Sequence, residues 1–121
     1  MEIYETNILK EVVTMNDLKR FEDMTDIEKA NECFSLYYPI AEFIYPRLKY
    51  FRESEKMGYP TELNSMEEWN EILDKMLFAF NFVLHENRIS QFTTAQEYQV
   101  ILDGVMEGFK LFGEYFLSLW D

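Results

Sequence analysis

An all-α fold, a small bundle of about four helices, is what this sequence predicts. Three observations lead there. Thr25–Glu28, Ser65–Glu68 and Thr94–Glu97 each carry the Ser/Thr-x-x-Glu pattern of a helix-capping box, and each is followed by apolar residues at helical spacing. Glycine and proline are scarce, at 4 and 3 residues, where a sheet protein needs many tight turns. The chain is 48% hydrophobic and 17% aromatic over 121 residues, enough for a real core and too apolar for disorder. One domain over residues 1–121 is expected.

Residues 1–24 support two readings. Ile3, Ile8, Leu9, Val12 and Val13 fit a short helix, and a short extended arm through Ile3 and Tyr4 fits as well. Thr14 can cap a turn holding Leu18 and Phe21. After the Thr25 box, Ala30, Cys33, Phe34 and Tyr37 make one apolar helical face. Pro39 interrupts, and a further helix is expected from Tyr38 to Lys56, kinked or restarted at Pro46. Gly58 and Pro60 stand where a helix stop is expected.

The Ser65 box opens the clearest helix, Ser65 to Leu84. With Trp69 as the reference direction, Ile72, Leu73, Met76, Phe80, Val83 and Leu84 fall within about 60° of it at 100° per residue. Glu67, Glu71 and Asp74 fall on the far side, together with Phe78 and Phe82. A helix with apolar residues on two sides is central in a bundle or meets a partner. Residues 86–92 read as a loop. The Thr94 box then opens a helix to the C-terminus, with one face running from Tyr98 through Val105, Phe109 and Phe112 to Leu119 and Trp120. Gly104 and Gly108, on a flank, let another backbone come close.

The net charge is −12, with residues 61–121 holding 11 acids against 3 bases. That balance disfavours nucleic acid and anionic membranes, and favours solubility or basic partners. No apolar run approaches the ~20 residues of a membrane span, and MEIYETNILK does not read as a signal peptide. One cysteine, Cys33, leaves no intrachain disulfide and reads as a small buried hydrophobe. The single histidine, His85, suits the end of the Ser65 helix. One Cys and one His do not make a zinc site. Arg47, Lys49, Arg52 and Lys56 form a basic patch interleaved with aromatics, expected to pair with the chain's own acids.

Glu67, Glu68 and Glu71 are the metal candidates, since carboxylates one turn apart can share a hard cation. Their EExxE pattern resembles the first half of the metal site of all-α nucleotide pyrophosphatases. That family continues with an ExxD on the next helix, and no ExxD follows Glu71 here. The acids therefore read as a cap and a solvated face. A divalent-metal nucleotide hydrolase is the alternative function.

PRLKYFRE followed by GYP (Pro46–Pro60), MEEWNEILDKM with Phe80 downstream, and the ending GFKLFGEYFLSLWD (Gly108–Asp121) occur in order. In these pieces, over roughly residues 40–121, the chain resembles a family of small acidic phage and prophage proteins of uncharacterised activity. The resemblance implies a phage origin, expression in the host bacterial cytoplasm and a role in handling the host. The expected function is a non-catalytic protein–protein interaction module, binding or inhibiting a host or phage protein. Phe78, Phe82, Glu71 and Asp74 are the expected partner-binding residues, with a homodimer compatible with the outward phenylalanines. No catalytic residue, cofactor, nucleic acid or membrane is expected.

Overall fold

The computed structural model describes residues 21–91 and 93–120. Helices account for the fold, and no strand occurs among the described residues. Both readings of residues 1–20, helix or arm, lie outside the described residues. By backbone clustering the chain is described as two units, Met1–Leu36 and Tyr37–Asp121.

In the first unit, helix α1 spans Asp26–Cys33. Its capping box is complete: Glu28 N–H donates to Thr25 Oγ1 at 3.2 Å, and Thr25 N–H donates to Glu28 Oε1 at 2.8 Å. The helix stops earlier than its apolar spacing suggests. Phe34 turns extended, and Ser35 takes the left-handed conformation at φ 53°. The expected buried face is not formed. Ala30, Cys33, Phe34 and Tyr37 are all exposed, Cys33 among them.

The second unit holds α2 (Tyr37–Glu53), α3 (Met66–Gln91), α4 (Ala95–Glu114) and a closing 3₁₀ turn, Phe116–Ser118. Helix α2 continues through Pro46 and is not restarted there. Pro39 sits in its first turn, where a missing N–H costs nothing. The helix ends before Gly58, because polar side chains take over its last carbonyls. Ser54 Oγ donates to Tyr50 O at 2.6 Å, and Lys56 Nζ donates to Phe51, Arg52 and Ser54 carbonyls at 2.9–3.2 Å.

Helix α3 is central and packs against both α2 and α4. Trp69, Leu73, Met76, Ala79, Phe80 and Phe82 are buried along it. At its start, Ser65 Oγ accepts from Glu68 N–H at 3.1 Å, and the Glu68 carboxylate reaches back to Asn64 N–H at 2.8 Å. His85 leaves helical geometry at φ −128°, ψ 22°, near the expected end at Leu84. Helix then resumes over residues 86–91, which were expected to be loop. Nothing there stops it, since ENRISQ holds no Gly or Pro, and Ile89 packs against buried Ala79, Phe82 and Val105.

Helix α4 opens with a complete box: Glu97 N–H donates to Thr94 Oγ1 at 3.1 Å and Thr94 N–H to Glu97 Oε1 at 2.9 Å. Thr94→Ala is expected to cost about 1 kcal/mol in urea unfolding, with Thr94→Ser restoring most of it. The two helices cross where Gly108 lies on α3, so close that an added Cβ would meet the Lys75 carbonyl and come to 2.7 Å from Ala79 Cβ. Phe80 then reaches across and sits edge-on to Phe109 and Phe112, at 5.1 and 4.9 Å. The expected helix to the C-terminus ends at Glu114 instead. Tyr115 docks on Trp69, ring centroids 5.6 Å apart, and the 3₁₀ turn redirects the last residues.

Candidate interaction surfaces

The expected site residues end up in different environments. Phe82 is 6% exposed and lies under Tyr98, with ring centroids 5.9 Å apart. It is a core residue, not half of an outward pair. Phe78 stays 46% exposed, its ring edge 3.2 Å from where Gly104 would carry a Cβ. Both rings lie on the side of α3 away from Trp69, and there they meet Gly104 and Tyr98 of α4.

Asp74 holds Arg52 in a two-pronged ion pair at 2.8 and 3.1 Å. This contact, ahead of opposing desolvation, raises the Arg52 guanidinium above its ordinary range. Glu71 and Glu67 are exposed, and one oxygen of Glu68 is engaged by Asn64. Among the described residues no three His, Cys, Asp or Glu side chains gather as a metal-binding group. His85 Nδ1 lies 3.0 Å from the Asn81 carbonyl, at the helix break.

Two concave surfaces, neither expected from the sequence, flank the C-terminal turn. The first is a groove of about 420 Å³ between α2 and the end of α4. Phe43, Phe51, Phe112 and Phe116 line it, with Ile44, Leu48 and Leu119 between them. Arg47 is its one charged lining residue. The guanidinium carbon stands 3.9 Å from the Phe43 ring centroid, and Nη1 donates to the Phe43 carbonyl at 2.8 Å.

The second is a cleft of about 240 Å³ between the Met57–Pro60 loop and the last residues, with Trp69 at its floor and Trp120 on its wall. Large apolar side chains stand in water around it: Met57 is 93% exposed, Trp120 81%, and neighbouring Leu117 88%. Tyr115, 7% exposed, anchors the turn that carries Leu117 and Trp120.

Burial pushes the Tyr115 phenol above its ordinary range, and the charges of Glu114, Glu62 and Glu68 add to the shift. The folded state thus holds this proton more tightly than the unfolded chain does. Its contribution is fully present below the ordinary phenol pKa of ~10, and is lost as pH rises from there through the raised folded value. The melting temperature should fall over that alkaline window, and Tyr115→Phe should flatten the fall. Absorbance at the phenolate band checks the ionisation directly. Tyr98 is raised in the same direction, by desolvation first and then by Glu86.

No family model, curated protein or solved structure matches the chain. No helix among the described residues is long and apolar enough to cross a membrane.

Proposed function

We propose that this chain is a non-catalytic protein–protein interaction module, phage-encoded, that binds a protein of the bacterial host in its cytoplasm. The observation that carries the reading is the set of exposed apolar side chains at the C-terminal end: Met57 and Trp120 line the cleft, and Leu117 stands exposed beside it in sequence. Burying such side chains on a partner releases water from apolar surface, and an exposed Trp is a frequent anchor of binding energy. The net charge of −12 favours a partner with basic residues around its apolar contact. The phage origin and the host as the partner's source follow from the motifs that resemble small phage proteins.

The test is capture from bacterial lysate with the wild-type chain and with Leu117→Ser/Trp120→Ser. The double variant touches side chains that contribute little to the fold, so it should remain folded and lose the captured protein. A partner retained by the variant would place the interaction elsewhere. Sedimentation of the pure protein at micromolar concentration separates a foreign partner from a second copy of the chain.

A further inference from the structure

We propose that the groove between α2 and α4 binds an amphipathic monocarboxylate of the fatty-acid class, its chain among the phenylalanines and its carboxylate on Arg47. The inference is independent of the interaction reading, since the groove and the cleft share no lining residue.

Size comes first. A volume of about 420 Å³ falls within the ~300–1,000 Å³ usual for small-molecule sites. Four phenylalanines, Ile44, Leu48 and Leu119 offer an alkyl or aryl chain a lining with no competing polar side chain other than Arg47.

Charge comes second. Arg47 is held at the groove by two contacts, the Phe43 ring and the Phe43 carbonyl. Both use the Phe43 side, and the Nε–Nη2 edge has no hydrogen-bond partner among the described residues. That edge is the fork which fits a carboxylate with two parallel hydrogen bonds. The neighbouring cations differ: Arg52 is already paired with Asp74, and Lys56 caps the end of α2.

The overall charge selects among anions. A chain of net −12 repels each added negative charge at long range. A polyanion or acidic peptide meets that repulsion many times over, whereas a single carboxylate meets it once. An apolar tail with one negative end is therefore the ligand class that fits both the lining and the field. Lengthening the tail should tighten binding by about fourfold per buried methylene until the groove is filled.

Backbone amide NMR of the full chain, titrated with decanoate, 1-decanol and decyltrimethylammonium, tests this. Decanoate should shift resonances of residues 43–51 and 112–119 and bind at least ~10-fold more tightly than decanol, the scale of a charge-assisted hydrogen bond. Arg47→Gln should bring decanoate down to the decanol level, while Phe116→Ala should weaken both ligands together. The head-group comparison on the wild-type chain holds whether or not a variant folds. Equal binding of decanoate and decanol overturns the proposal, as does binding of the ammonium at the same strength or an absence of shifts. Concentration-dependent shifts of these resonances without decanoate assign the groove to a second copy of the chain and also overturn it.

Discussion

Gly108→Ala is expected to lower the unfolding free energy of the Tyr37–Asp121 unit by about 2–3 kcal/mol, the range of an overpacked core. The sign is the informative part. In the middle of a helix, Gly→Ala alone stabilises by about 1 kcal/mol through backbone entropy. Here the new methyl would run into the Lys75 carbonyl and stand 2.7 Å from Ala79 Cβ. Neither obstacle is the mobile end of a side chain, so α3 and α4 must separate. Separation loosens Phe80 from Phe109 and Phe112 and disturbs the buried Ala79, Phe82 and Val105. Gly113→Ala is the control on the same helix, with nothing within 4 Å of its added Cβ. It should stabilise by up to about 1 kcal/mol. Urea unfolding followed by circular dichroism measures both. If Gly108→Ala were as stable as Gly113→Ala, the helices would not cross at this residue.

That crossing also shows which parts of the fold were legible. The glycine flank and the Phe78/Phe82 side of α3 were both visible as patterns, each on its own helix. What a single helix cannot show is that the two patterns face each other. A ring directed away from one neighbour reads as exposed until a second neighbour is placed, and Gly104 beside Phe78 and Tyr98 beside Phe82 are that neighbour. Helix starts were legible for a local reason. A capping box involves residues three apart, and at Thr25 and Thr94 it formed as read.

Helix ends were less legible, because they depend on contacts distant in sequence. Residues 86–91 resume the helix after His85 with Ile89 packed into a cluster shared with α4. Helix α4 stops at Glu114 although Tyr115 and Phe116 continue its apolar spacing. The candidate surfaces depend on this stop. On a straight helix Leu119 and Trp120 belong to the core face; after the 3₁₀ turn, Leu119 lines the groove and Trp120 stands exposed by the cleft. The local signal for a turn, a Gly or Pro after Glu114, is missing from YFLSLWD. The acidic side chains of α3 follow the capping and solvated-face reading, Glu67 and Glu71 standing exposed. Glu68 takes up its cap position with Ser65 and Asn64, whereas Asp74, expected at a partner surface, is engaged within the chain by Arg52.

Trp69→Ala is expected to cost about 3–5 kcal/mol, the largest single loss in the unit. Trp69 is 1% exposed and belongs to the same buried cluster as Leu73, Met76 and Tyr115. Its removal takes away the ring that Tyr115 packs against, so the C-terminal turn loses its anchor and the cleft its floor. The Tyr115 phenol, raised mainly by burial, should then ionise closer to the ordinary ~10. The chain's two tryptophans allow a clean readout. Trp120 is 81% exposed and should be quenched by acrylamide, while Trp69 should be shielded. Wild type should therefore show two emitting populations, and Trp69→Ala the quenchable one alone. Trp120→Ala should remove that quenchable population while changing stability by no more than about 0.5 kcal/mol, as expected of an exposed side chain. A loss below about 1 kcal/mol for Trp69→Ala would mean that the turn is held by something other than this pair of rings. Loss of partner capture by Trp120→Ala at unchanged stability would separate binding from folding at the cleft. The same loss in Trp69→Ala alone would not, since that change removes the floor and the fold together.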